Sequence, residues 1–227
     1  MLRQSDRLPW GHCLDEYNTM FSLNESDREL AILDCAGGTA SFNAEMTGQG
    51  KNVISCDPIY QLTAEQINAG LQYDFIADFQ RTVDLYVWQY FKSPEQLGSV
   101  RREANQTFLA DFPSGLKQGR YVNASLPDLS PFDDGQFDLA LCSHFLFTAR
   151  HPKEFHLEAI EQMCRVAKEV RVFPLRSFNG EESHHSNPIV TELRKRNFRA
   201  DPQPVDYEFE PGVNHMLRIS KNSSAEK

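Results

Sequence analysis

Short apolar runs alternate with stretches of helical periodicity along most of this chain. Ile32-Leu33 ends in Asp34, Val53-Ile54 is followed by Asp57, and Phe137 to Cys142 is nearly all apolar. Val170 to Leu175 is also apolar, broken only by Arg171. Runs of this length read as strands covered on both faces. Between them, Leu14, Tyr17, Met20 and Phe21 predict a helix within 13–28, ended by Asn24, Ser26 and Asp27. Phe155, Ala159, Ile160, Met163 and Val166 mark the inner face of a helix over 152–168. Strands are expected at 30–35, 52–57, 120–125, 137–142 and 170–175, with Pro58 and Pro174 closing the second and fifth. A helix over 40–48 is closed by Gly48 and Gly50, and another ends near Asn197. Finally, 205–209 and 215–220 flank Glu210-Pro211-Gly212-Val213 as a hairpin. The pattern predicts an α/β chain: a Rossmann-like, doubly wound, seven-stranded sheet, mostly parallel, with a C-terminal antiparallel hairpin.

One stretch breaks the alternation. A parallel crossover needs a single helix of about a dozen residues, yet residues 61–118 separate the second strand from the third. Thr63 with Gln66 reads as a capping box, Phe75, Phe79, Val83 and Val87 as a stripe, and Ser93-Pro94-Glu95 as a helix start. Residues 1–227 therefore form one domain carrying a helical insertion at 61–118, whose place beside the strand ends suits a lid or an acceptor-recognition element.

Candidate chemistry sits where the first two strands end. Asp34-Cys35-Ala36-Gly37-Gly38-Thr39-Ala40 turns the chain sharply, and Asp57 ends the next strand about twenty residues on. Gly37 and Gly38 lack Cβ and let the backbone press against a ligand. Asp57 can accept two hydrogen bonds from vicinal ribose hydroxyls, so the layout is that of a nucleotide-binding βαβ unit.

Composition narrows the partners. A formal charge of −9 gives no broad basic footprint for nucleic acid. Arg101-Arg102 and Arg194-Lys195-Arg196 read as solvated helix faces. The five cysteines form no Cys-x-x-Cys pair, which fits a reducing, cytoplasmic setting. Cys35, Cys56 and Cys142 read as small buried residues at strand ends, and no spaced His/Cys quartet calls for a metal. No apolar run nears eighteen residues and no leader precedes the domain, so neither a membrane nor export is expected.

The loop Asp34-x-Ala36-x-Gly38-x-Ala40 resembles the first motif of class I S-adenosylmethionine-dependent methyltransferases, acid-x-Gly-x-Gly-x-Gly, with alanine at two of three glycines. Leu126-Pro127-Asp128 through Phe132-Asp133-Asp134-Gly135-Gln136-Phe137-Asp138 is similar to that family's passage into its fourth strand. The resemblance covers residues 30–60 and 120–175. It implies S-adenosyl-L-methionine as cofactor, held by Asp34, Ala36, Gly37, Gly38, Asp57, Pro58 and Ser143. Ser125 falls at the adenine-binding acid position and Leu126 at the backbone N–H position. It implies methyl transfer to a small-molecule acceptor that the sequence does not identify.

Two side chains are candidates for catalysis. His144, just after the fourth strand, could take a proton from the acceptor, or simply bond to backbone. Tyr17 could cover the cofactor or touch the acceptor, or belong to the helix packing stripe. His184-His185 read as solvated loop residues. Two alternatives stand beside transfer. One is a cofactor-binding protein with a regulatory or assembly role. The other is a nicotinamide-dependent oxidoreductase, though none of the seven tyrosines has Lys four positions on.

Overall fold

The computed structural model describes residues 11–71, 80, 83–148, 151–176 and 186–222. Its strands are β1 (Ile32–Cys35), β2 (Val53–Cys56), β3 (Tyr121–Val122), β4 (Phe137–Ser143), β5 (Ala167–Phe173), β6 (Phe198–Pro204) and β7 (His215–Lys221). They form one sheet in the order β3-β2-β1-β4-β5-β7-β6. The first five are parallel, and β7 runs antiparallel to both β5 and β6. The predicted fold class is thus the observed one.

The helices are α1 (Leu14–Met20), α2 (Phe42–Gly48), α3 (Ala64–Gly70), α4 (Pro94–Lys117), α5 (Lys153–Val166) and α6 (Ser186–Lys195). Two apolar layers sandwich the sheet. On one face α5 and α6 bury Ile160, Met163, Ile189 and Leu193 against Leu33, Ala140 and Val170. On the other, α1 and α2 bury Tyr17, Met20, Phe42 and Met46 against Ile32, Val53 and Leu141. Alternate residues of β1 therefore serve opposite layers, as strand geometry requires. Arg171 is tolerated in β5 because it pairs with Asp27 at 3.0 Å and donates to the Phe21 carbonyl at 2.9 Å.

Two expectations change. The sixth strand is Phe198–Pro204, not 205–209. As an edge strand it can hold Pro202 and Pro204, residues that hide a strand from a periodicity search. Tyr207, Phe209 and Val213 are apolar because they lie buried in the β6–β7 connection. Within 61–118, the last part is α4, which packs between α2 and β3 as the ordinary crossover helix. Chain beyond a simple crossover is then confined to 58–93. Thr63 and Ser93 cap their helices as their side chains predict. The stripe positions Phe75 and Phe79 and the tail 223–227 lie outside the described residues.

Candidate active site

The strand order reverses beside β1, which has β2 on one side and β4 on the other. At such a reversal the carboxyl ends of the strands border a ligand crevice. Past those ends stand Ala36, Gly37 and Gly38 after β1, Asp57 after β2, Asn123 after β3 and His144 after β4.

The loop after β1 is fixed by its neighbours. Ala36 and Gly38 take φ of 55° and 54°, the left-handed region that small residues enter most readily. Gly38 N donates to Asp57 Oδ2 at 3.1 Å, and its carbonyl accepts from Tyr60 OH at 2.9 Å. The other Asp57 oxygen accepts from Ile59 N at 2.9 Å, capping the 3₁₀ turn that the exposed Pro58 opens. Burial raises the Asp57 pKa against the pull of these two bonds. A carboxylate has about four lone-pair sites, so two remain for a ligand.

Gly37 answers to a different demand. A Cβ there would lie 2.4 Å from Asp34 Oδ2 and 2.9 Å from Tyr60 OH. Asp34 is 1% exposed and accepts from Tyr17 OH at 3.0 Å and Ser55 Oγ at 2.9 Å. Burial pushes its pKa up to about 7; the Ser55 and Tyr17 bonds oppose that and the Asp57 charge adds to it. Tyr17 belongs to the packing stripe of α1. It packs on Phe42 with centroids 4.2 Å apart, and it carries a hydroxyl into the site. Burial and the Asp34 charge raise the Tyr17 pKa well above that of free tyrosine, and the nearby Ser143 opposes them.

A second shell of polar residues lies over the loop. The His12 carbonyl accepts from Ser41 N at 3.0 Å, and Gly11 lies so close that a Cβ would meet the Thr39 carbonyl at 2.3 Å. Helix α4 contributes Asn105, which accepts from Thr39 Oγ1 at 2.9 Å, and Arg101. The Arg101 guanidinium grips both oxygens of Glu16 in α1, with Nη2 at 2.6 Å from Oε1. The two side chains are 1% and 0% exposed. Glu16 also bonds to His12 at 3.0 Å and Tyr207 OH at 3.1 Å. Burial opposes its charge, but Arg101 and then His12 outweigh burial and hold its pKa well below the usual carboxylate range. The expected solvated face at Arg101-Arg102 is therefore half right: Arg102 is exposed and Arg101 is buried. Its position in the stripe Leu97, Arg101, Ala104, Phe108, Phe112 is the sequence signal for that burial.

His144 stands with φ 48°, and its backbone N donates to the Phe173 carbonyl at 2.7 Å. Its ring stacks on His12 with centroids 4.5 Å apart, and Nδ1 lies 3.3 Å from Ser143 Oγ. Burial first, then the charges of His12 and Arg101, hold its pKa well below that of free histidine. The ring is therefore held in its neutral form.

The structure brings together Asp34, Ala36, Gly37, Gly38, Asp57, Tyr17, Ser143 and His144. Ser125 and Leu126 come further along the connection after β3. β3 ends at Val122, whose carbonyl accepts from Asp57 N at 3.2 Å, so Asn123 is the residue abreast of Asp57. Ser125 is exposed and bridges to Asp128, while the Leu126 side chain is buried in the core. The sequence run 120–125 overstates a two-residue strand. Cys56, Cys35 and Cys142 lie abreast on β2, β1 and β4, all buried and free. Among the described residues, no group of three or more His, Cys, Asp or Glu could hold a metal ion. His184-His185 lie outside the described residues. Sequence reasoning missed His12, Glu16 and Tyr60, which carry no motif and matter only through what the fold sets beside them.

No family model matches the chain. Among solved structures it is similar to a magnesium protoporphyrin IX methyltransferase from Synechocystis with bound SAH. The identity is 13%, over 92% of this chain and 82% of that one, with a TM-score of 0.48. It is also similar to the 1,6-didemethyltoxoflavin-N1-methyltransferase of Burkholderia thailandensis. There the identity is 15%, over 92% and 77% of the two chains, with a TM-score of 0.47. Among curated proteins it is 32% identical over 226 residues to the uncharacterized protein MJ0045 of Methanocaldococcus jannaschii, covering 97% of this chain and 99% of that one. The chain belongs to the family of that archaeal protein.

Proposed function

We propose that this protein is an S-adenosylmethionine-dependent methyltransferase acting on a small molecule. The observation that carries the reading is Asp57. It stands at the end of β2, fastens the left-handed loop at Gly38 with one oxygen, and keeps two lone-pair sites for vicinal ribose hydroxyls. Asn123, abreast of it, can meet the adenine edge with an amide in place of a carboxylate. The Ala36–Gly38 backbone and the Tyr17–Asp34 pair then border the amino-acid tail.

When bound, S-adenosylmethionine supplies a methyl group on a positively charged sulfur that leaves with the bonding electrons. The chain's own task is to hold an acceptor in line with that bond, and alignment supplies much of the rate. Tyr17 and Ser143 set the wall between loop and acceptor side. Neutral His144 accepts a proton from an acceptor that must lose one. The charge of −9 and the neutralisation of Arg101 by Glu16 favour a small acceptor over a nucleic acid. No helix among the described residues is long and apolar enough to cross a membrane, and a cytoplasmic setting agrees with the five unpaired cysteines.

A second reading, cofactor binding without transfer, draws on one observation. The described residues beside His144 leave a cavity of only about 30 Å3. Incubation with methyl-labelled S-adenosylmethionine and a small-metabolite extract separates the two. A transferase moves label into a small metabolite, and a binding module retains ligand without consuming it.

A further inference from the structure

The small cavity beside His144 has a lining whose chemistry is selective. Tyr207 and Phe209 form aromatic walls, Thr148 and Val213 close it, and Glu210 supplies a carboxyl. That carboxyl is half-buried, and no described side chain pairs with it. Arg176 holds its guanidinium over Gly212, 3.2 Å from where a Cβ would stand. The His144 ring completes the lining from the end of β4, with Nδ1 turned to Ser143. Among the described residues, no lysine or arginine lines the cavity. A carboxyl left without a partner in a partly dry site is costly unless a ligand supplies one.

We propose that this cavity receives the amino group of an amine-bearing aromatic acceptor, with Glu210 as the residue that selects it. The proposal rests on the methyltransferase reading, because His144, which lines the cavity, follows β4 at the same sheet edge as the loop after β1. A volume of about 30 Å3 holds about two water-sized groups. It therefore fits the amine end of an acceptor, whose ring stays outside the cavity. An ammonium over aromatic faces gains cation–π attraction as well as the Glu210 pairing. A carboxylate in the same place would face Glu210 without a cation. Burial also pushes the Glu210 pKa up to about 7, so a bound cation is needed to favour its charged form.

The test compares three probes of one shape: benzylamine, benzyl alcohol and benzoate. Binding to the full chain is followed by protein-observed NMR, with and without S-adenosylhomocysteine, for the parent and Glu210→Gln. The expected result is benzylamine at least tenfold tighter than benzyl alcohol, with benzoate weakest. In Glu210→Gln that preference should fall to within about threefold, while affinity for S-adenosylhomocysteine is unchanged. Equal binding of the three probes, a preference for benzoate, or an amine preference that survives Glu210→Gln would overturn the proposal. Failure of S-adenosylhomocysteine to bind the parent would count against the methyltransferase reading instead. The probe preference in the free chain still decides the role of Glu210.

Discussion

Asp34 and Asp57 end adjacent strands about 20 residues apart in sequence, yet the fold gives them opposite work. Asp57 faces the proposed ribose, so Asp57→Ala is expected to cost about 2–3 kcal/mol of S-adenosylhomocysteine affinity, the range for hydrogen bonds to a charged group. Asp57→Asn should cost less, because its amide oxygen keeps one acceptor. Calorimetric titration of both variants checks the order; parent-like affinity in both would move the ribose contact elsewhere. Asp34 is enclosed and, among the described residues, pairs with no cation. With a folded pKa of about 7 it keeps its proton where the unfolded chain has already lost it. Stability from this group is full below about pH 4 and is lost as pH rises through about 7. Asp34→Asn removes that titration while its amide can still bond to Tyr17 and Ser55. Between pH 4 and pH 8 the parent should lose about 2–4 kcal/mol relative to the variant in urea unfolding. A difference that does not change with pH would show that Asp34 is ionised throughout.

Among the elements, α4 and α1 meet through the Arg101–Glu16 pair, which is sealed from water. Arg101→Met alone leaves a buried carboxylate without its guanidinium and should destabilise the chain by about 3–5 kcal/mol. Adding Glu16→Met should recover more than half of that in urea titrations. An additive double variant would mean that the two charges do not interact. Helix α3 is held more lightly, burying only Ile67. Its amides should exchange readily in the free protein and slow with S-adenosylhomocysteine, whereas β5 stays protected in both states. Slow, ligand-independent exchange in α3 would mark it as a fixed buttress.

The sequence shows these elements unevenly, for physical reasons. β1, β2, β4 and β5 are covered on both faces, so their apolar runs stand out. β3 has two residues and β6 is an edge strand with two prolines, so neither carries a run of its own. The loop and Asp57 announce themselves because a sharp turn and an acid at a strand end need particular residue types. Glu16 and His12 do not, since their roles come from neighbours distant in sequence. Arg101 was visible only as a charge out of place in an apolar stripe.

For the whole molecule, one sheet sets the loop after β1, Asp57, Tyr17 and His144 along a single edge, at the reversal in strand order. The N-terminal segment, α4 and the β6–β7 connection then meet over that edge through Glu16, which bonds to His12, Arg101 and Tyr207. The proposed acceptor side thus draws on parts of the chain as far apart as residues 12 and 207. A ligand that binds the folded chain at this edge and not the unfolded one should raise the melting temperature. The most direct measurement of the central claim is calorimetric titration of the parent protein with S-adenosylhomocysteine, run beside NAD and NADH. The account predicts saturable binding of S-adenosylhomocysteine at one site per chain and no binding of either nicotinamide. Absence of binding by S-adenosylhomocysteine, or saturable binding of a nicotinamide at the same site, would contradict it.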